Sequence, residues 1–233
     1  MKFAACTDVG RVRKGNEDAF LTAKNLFAVA DGMGGHMAGE VASSLALEGL
    51  QKEVERGAKT DPEELLLRAA QLANQTVFKN SLGKSDLQGM GTTLTAALKV
   101  GRKLIFAHVG DSRAYLLRTG ELVQLTQDHS VVAEMVRRGK LKPEEAESHP
   151  ARSILTRALG TEPRVEIDLL SQDTQKGDRI LLCTDGLTSM VSRDRVREIA
   201  SRAHPLEEIC EELVAQANAN GGEDNITVVL VEF

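Results

Sequence analysis

The spacing of apolar positions changes twice along the chain. Leu26-Phe27-Ala28-Val29-Ala30 is apolar without interruption and predicts a buried strand. Lys2–Thr7 and Ala19–Thr22 predict shorter strands, the second making a hairpin with Leu26–Ala30 across the turn-like Lys24-Asn25. From Glu40 to Arg56 the residues Val41, Leu45, Leu47 and Leu50 fall at helical spacing, and Gly57 is placed to stop the helix. Asp61-Pro62-Glu63-Glu64 opens a second helix, running to about Asn80, with an N-cap, a proline at the first position and acids in the first turn.

The period then shortens. Thr92–Val100, Lys103–Val109, Ser112–Arg118 and Glu121–Leu125 predict four strands with turns at Gly101-Arg102, Gly110-Asp111 and Thr119-Gly120. Their close spacing reads as an antiparallel meander, because a parallel crossover needs about a dozen residues or more. Gln127 to Arg164 is polar, rich in Arg and Lys and interrupted by Pro143, Pro150 and Pro163. It predicts a short helix near Ser130–Arg138 inside a mobile surface excursion. Val165–Leu170, Arg179–Thr184 and Asn225–Phe233 read as strands, and Ser192–Arg202 and Pro205–Asn218 as helices. No low-complexity linker or internal repeat divides the chain, so residues 1–233 are expected to form one domain. Strands and helices come in blocks rather than strict alternation, which predicts an α+β layered fold with antiparallel sheets.

Composition narrows the function. The chain has 233 residues, 42% hydrophobic and 27% charged, as in an ordinary globular protein. A net charge of -5 argues against binding nucleic acid by phosphate neutralisation, and one tyrosine with no tryptophan argues against base stacking. Cys6, Cys183 and Cys210 are far apart and in apolar company, as buried thiols in a reducing cytoplasm would be. They also lack the Cys/His spacing of a zinc site. The N-terminus has no secretory pattern and no apolar run approaches the length of a membrane span.

The chemistry lies where strands end. Leu26–Ala30 runs into Asp31-Gly32-Met33-Gly34-Gly35-His36, a carboxylate followed by three glycines in four residues. Packing gives no reason for such a run; a metal or phosphate site at a strand end does. Val109 leads into Gly110-Asp111 and Thr184 into Asp185-Gly186, while Asp18 and Asp224 stand just before strands. Each Asp-Gly taken singly is an ordinary turn. If the strand ends converge, five aspartates share one pocket and need cations or protons to coexist. Short, hard carboxylates suit Mg²⁺ or Mn²⁺.

Seven segments in order carry a resemblance that spans essentially the whole chain. They are Arg13–Ala19 (RKGNEDA), Val29–His36 (VADGMGGH), Gly89–Thr93 (GMGTT), Val109–Tyr115 (VGDSRAY), Leu125–Ser130 (LTQDHS), Leu182–Leu187 (LCTDGL) and Asp224–Val228 (DNITV). Together they resemble the metal-dependent protein phosphatases of type 2C, or PPM. The resemblance implies a four-layer αββα sandwich with helix pairs outside two antiparallel sheets, and a flap at roughly 127–164. It implies two core Mn²⁺ or Mg²⁺ ions: Asp31 bridging both, Asp185 and Asp224 on the first, the Gly32 carbonyl on the second with Asp18 in support. A third, weaker ion would fall to Asp111 and Asp185.

The same resemblance assigns Arg13 to the substrate phosphate, a task its planar fork suits. It also implies in-line attack by a metal-bridging hydroxide, with no protein nucleophile. Animal relatives carry a histidine directly after the Asp-Gly pair; here that position is Met33, and the nearest histidine is His36. His36 as general acid, His36 as a loop hydrogen-bonder and a metal-bound water as acid all stay open. Cys183 reads as strand packing and His129 as a structural residue after the fourth strand of the meander.

The activity implied is hydrolysis of phosphoserine and phosphothreonine on cytoplasmic proteins, opposing a serine/threonine kinase. The expected enzyme is a monomer, with no nucleic-acid or membrane partner. Other readings are a phosphatase specialised for an anti-anti-sigma-type regulator, a phosphoprotein-binding pseudophosphatase and a structural metal-binding protein. The pseudophosphatase would be marked by a missing ligand, and all are present.

Overall fold

The computed structural model describes residues 1–34, 38–57, 60–83, 85–146 and 149–233. Among these, strands β1 (Lys2–Asp8), β2 (Asp18–Thr22) and β3 (Leu26–Met33) lead into helices α1 (Ala38–Arg56) and α2 (Pro62–Gly83). Next come β4 (Gly91–Thr92), β5 (Leu94–Val100), β6 (Lys103–Val109), β7 (Arg113–Arg118) and β8 (Glu121–Gln124), and then the short helices α3 (Val131–Arg137) and α4 (Pro143–Ala146). The order ends with β9 (Asp168–Asp173), β10 (Arg179–Cys183), α5 (Asp185–Thr188), α6 (Arg193–Ala200), α7 (Leu206–Ala219) and β11 (Ile226–Glu232).

The strands form two antiparallel sheets. One has the order β1-β11-β10-β7-β8, the other β2-β3-β5-β6-β9 with β4 paired to β3. Alternate residues of each strand face opposite sides. Phe27, Val29 and Phe106 from one sheet meet Leu116, Ile180, Leu182 and Val229 from the other in the layer between them. Ala28 and Ala30, one residue out of phase, pack instead with Ala42, Ala46 and Leu50 of α1 and Leu66, Ala69 and Ala73 of α2. Burial on both faces is why the β3 run is apolar without interruption. On the far side Val196 and Ile199 of α6 and Ile209, Leu213 and Ala217 of α7 cover Leu181, Cys183, Val228 and Leu230. The result is the αββα order of layers expected from the sequence.

Three expectations are corrected. The meander is two hairpins in different sheets: β6 pairs with β5 and β9, whereas β7 pairs with β8 and β10. The chain changes sheets at Gly110, whose φ is +107°; a Cβ there would lie 2.6 Å from side-chain carbons of Thr93. The strand expected at Val165–Leu170 begins only at Asp168, because its partner β6 starts pairing at His108. Val165 and Ile167 still pack against the helix-side core, which accounts for the apolar alternation that suggested a strand. Finally, β3 runs on through Asp31 and Gly32 to Met33 rather than ending at Ala30, because β4 supplies a ladder partner at Gly32 and Met33.

Candidate active site

The two sheets bring all five aspartates to one end of their interface. Asp31 lies in β3 with Asp18 of β2 as its cross-strand partner. Asp111 sits in the crossing from β6 to β7, Asp185 opens α5 after a single residue, Thr184, beyond the end of β10, and Asp224 precedes β11. Each is half-buried, sunk into the floor of the site but reached by solvent. Desolvation, and after it the fields of the neighbouring acids, raise the proton affinity of Asp18, Asp31, Asp111 and Asp185. Burial chiefly, with Asp185 and Asp224 adding, pushes Asp18 up to about 7. Burial, then Asp185 and Asp128, pushes Asp111 up to about 8. Asp31 and Asp185 are raised by burial first as well, with Asp18 the largest of the charges acting on Asp31 and Asp224 the largest acting on Asp185.

These carboxylates suit a hard divalent cation. Asp18 Oδ1 and Asp185 Oδ1 are buried without a hydrogen-bond partner, a state that is costly and rare for a polar atom unless an ion or water meets it. The other oxygen of Asp18 is fixed: Thr184 Oγ1 donates to Oδ2 at 2.8 Å while accepting the Thr227 N–H at 3.0 Å. Among the described residues no three His, Cys, Asp or Glu side chains are drawn tightly enough to enclose an ion, as expected when like charges push one another apart.

The backbone around these acids is held by side chains that the sequence analysis did not single out. Thr93 Oγ1 accepts the Asp31 N–H at 2.9 Å and pairs with Ser112 Oγ at 2.7 Å. The Asp31 carbonyl accepts from Thr92 Oγ1 and from the Thr93 N–H, both at 2.9 Å. Asn225 staples the loop before β2 to the strand it precedes. Its Oδ1 accepts the Glu17 N–H, its Nδ2 donates to the carbonyls of Val9 and Gly15, and its own N–H donates to Asp224 Oδ1. A Cβ on Gly32 would stand 2.0 Å from the Gly39 carbonyl oxygen and 2.6 Å from that of Glu17, so only glycine fits. All of these threonines, and Asn225, lie inside the motif segments quoted above, which was the available signal.

Arg13 reaches the site from the loop before β2, and its Nη2 donates to Asp224 Oδ2 at 2.8 Å. Beside it opens a cleft of about 210 Å³, lined by Arg13, Lys14, Asn16, Glu17, Glu40 and Asn225. His36 lies outside the described residues. The Cys183 thiol is buried in β10, and burial pushes it up to about 12, as in an inert packing residue. In the 127–164 excursion, Arg157 pairs with Asp168 at 2.8 Å and Glu166 at 3.0 Å.

The protein phosphatase 2C family model matches residues 11–230. The chain belongs to this family. It is 45% identical to a serine/threonine phosphatase, stp, of Listeria monocytogenes over 97% of this chain and 93% of that protein. It is 43% identical to the serine/threonine protein phosphatase PstP of Mycobacterium tuberculosis, across the whole of this chain and 45% of that longer protein. The crystal structure of the M. tuberculosis PstP/Ppp phosphatase superimposes with a TM-score of 0.94 at 42% identity, covering 100% of this chain and 98% of that one. A PstP catalytic domain solved in complex with two manganese ions gives a TM-score of 0.91 at 40% identity, covering 99% and 97% of the two chains. The protein is therefore a serine/threonine protein phosphatase of the bacterial type 2C kind.

Proposed function

We propose that the whole chain works as one phosphatase domain that removes phosphate from serine and threonine side chains of cytoplasmic phosphoproteins, in opposition to a serine/threonine kinase. The observation that carries the mechanism is the pair of buried, unpartnered carboxylate oxygens, Asp18 Oδ1 and Asp185 Oδ1, within a group of five acids. The residues fit two divalent cations: Asp31 shared between them, Asp185 and Asp224 on one side, the Gly32 carbonyl with Asp18 on the other, and Asp111 with Asp185 available to a third. Manganese is supported by its presence in the related PstP catalytic domain. When bound, such ions lower the pKa of water and neutralise charge on phosphoryl oxygens.

The chain's own groups supply position and exclusion. Asp31 is held on a strand rather than a loop, with its amide and carbonyl both bonded, so the backbone that carries its carboxylate has little freedom to move. Arg13 is half-exposed at the mouth, and exchanging its Asp224 contact for a phosphate would give the substrate a planar double donor. No serine, cysteine or histidine is needed as nucleophile, consistent with the inert state of Cys183. The test is hydrolysis of p-nitrophenyl phosphate and of a phosphothreonine peptide by the purified chain with Mn²⁺. Asp31→Ala and Asp185→Ala should be inactive; turnover that survives EDTA, or survives in Asp31→Ala, would overturn the two-ion reading.

A further inference from the structure

His129 joins two parts of the molecule that the reaction scheme treats separately. Its backbone N–H donates to the Gly110 carbonyl at 2.8 Å, and the Gly110 N–H donates back to His129 Nδ1 at 3.1 Å. This reciprocal pair clamps the residue immediately before Asp111. An amide N–H can only donate, so Nδ1 is the acceptor and the neutral ring carries its hydrogen on Nε2. That hydrogen is directed to Asp168 Oδ2, 3.1 Å away. Arg157 Nη1 lies 3.4 Å from Nε2 but donates at 2.8 Å to the other oxygen of Asp168, which fixes the carboxylate that orients the ring.

The same histidine is where the 127–164 excursion leaves and re-enters the fold. Ser130 caps α3, the Val131 N–H donates to the Ile154 carbonyl, and the Thr156 N–H donates to the His129 carbonyl at 2.8 Å. The ring is buried and packs against His108, with centroids 4.8 Å apart. On the other side of Gly110, a Cβ would clash with Thr93, the residue that receives the Asp31 amide. Gly110 thus runs between the Thr93 side chain, too close for any side chain of its own, and His129.

We propose that His129 is a positioning residue that sets the Asp111 carboxylate and ties its placement to the base of the excursion. The proposal rests on the reading of Asp111 as a ligand of the third, weaker cation. Asp168 and Arg157 hold the imidazole in the Nε2–H form, and Nδ1 then fixes the turn that aims Asp111. Losing the acceptor at Nδ1 frees the turn, and the weaker ion loses affinity while the tighter pair, held on β3, α5 and the start of β11, does not.

The test is Mn²⁺ binding to the full chain by calorimetric titration and manganese EPR, readouts independent of turnover. His129→Gln keeps a group able to reach Asp168 but places none at Nδ1; it should weaken the weakest binding event by roughly 10- to 100-fold, the usual effect of removing an outer partner of a ligand. The tighter events should keep their affinities. His129→Asn puts an amide oxygen near the position of Nδ1 and should restore most of the loss. Asp168→Ala, at a position about one-third exposed, should shift the weakest event in the same direction. The proposal is overturned if the weakest event is unchanged in His129→Gln and Asp168→Ala, if all events weaken together, or if Asn rescues no better than Gln. Asp111→Asn separates the two layers: a weakest event intact there, or no event beyond the tight pair in the unmodified chain, shows that Asp111 holds no ion and overturns the underlying assignment as well.

Discussion

Asp18 and Asp31 stand directly opposite one another on β2 and β3. Like charges at facing positions of an antiparallel pair destabilise the sheet, so this register is costly without a proton or a cation between the strands. The fold accepts the cost because two hairpin strands place two carboxylates at a fixed separation. Loops could not hold them as firmly.

Stability of the metal-free protein should therefore fall as pH rises. Burial raises Asp18 to about 7 and Asp111 to about 8 in the folded protein, above the 3.8 of an ordinary aspartate. Raised carboxylates contribute stability that is fully present below about pH 4 and is lost as pH climbs through the folded pKa. Chelator-treated protein should lose melting temperature from this source between about pH 4 and 8. Saturating Mn²⁺ should raise the melting temperature much more at pH 8 than at pH 5.5. Equal manganese shifts at both pH values in a melting experiment would contradict the clustering.

An opposite slope belongs to His108. Burial chiefly, with His129 adding, lowers its pKa to about 4, while its Nδ1 meets Thr95 Oγ1 at 2.9 Å and its Nε2 the Gln127 carbonyl at 3.0 Å. A depressed histidine contributes stability that is present above its unfolded pKa of about 6.5 and disappears as pH falls through the folded value. The contribution at neutral pH is on the order of 3 kcal/mol. His108→Gln should be less stable at pH 7 but should lose less on going from pH 6.5 to 4, measured by urea unfolding at each pH. A parallel loss in both proteins would remove His108 as the source.

Arg13 should matter to substrate and hardly at all to folding. Its ion pair with Asp224 is exposed, the guanidinium side 50% so, and exposed pairs contribute about 0–1 kcal/mol. A charge-assisted bond to a phosphate contributes about 1.5–3 kcal/mol, so Arg13→Ala should weaken KM for a phosphothreonine peptide roughly 10- to 100-fold with little change in melting temperature. Arg13→Lys should recover only part of this, because a lysine cannot present the paired donors. Steady-state kinetics on the two variants decide it.

How much of this was legible in the sequence follows the range of the interactions. Asp31, Asp111 and Asp185 were visible because each follows an apolar run within a few residues. The helices of the outer layers were visible through periodicity and caps, such as the Asp61 side chain receiving the N–H groups of Glu63 and Glu64. Thr184 was not, since its partner Asp18 lies 166 residues away and a threonine closing a predicted strand has ordinary reasons to be there. The sheet switch at Gly110 was hidden for a related reason. Two-residue spacing between strands fits a hairpin equally well, and the partners (β9 and β10) that separate β6 from β7 come about 60 residues or more later in the chain.

Thr184→Val tests the hydroxyl that sets Asp18. The change keeps the shape of the side chain but removes the donor to Asp18 Oδ2 and the acceptor of the Thr227 N–H. Leaving a buried amide unpaired costs about 1–3 kcal/mol, a loss the packed sheets should survive. Asp18 would keep the Thr227 side chain but lose the Thr184 donor, so Oδ1 would be held less firmly toward the site, and the ion it supports would bind more weakly. The Mn²⁺ concentration for half-maximal phosphatase activity should rise roughly 10- to 100-fold, with activity largely recovered at high Mn²⁺. Thr184→Ser, which restores the hydroxyl without the methyl group, should bring the Mn²⁺ requirement back toward that of the unmodified protein. If Val and Ser variants share one Mn²⁺ requirement, the hydroxyl is not what orients Asp18, and packing by the threonine methyl would have to account for the residue.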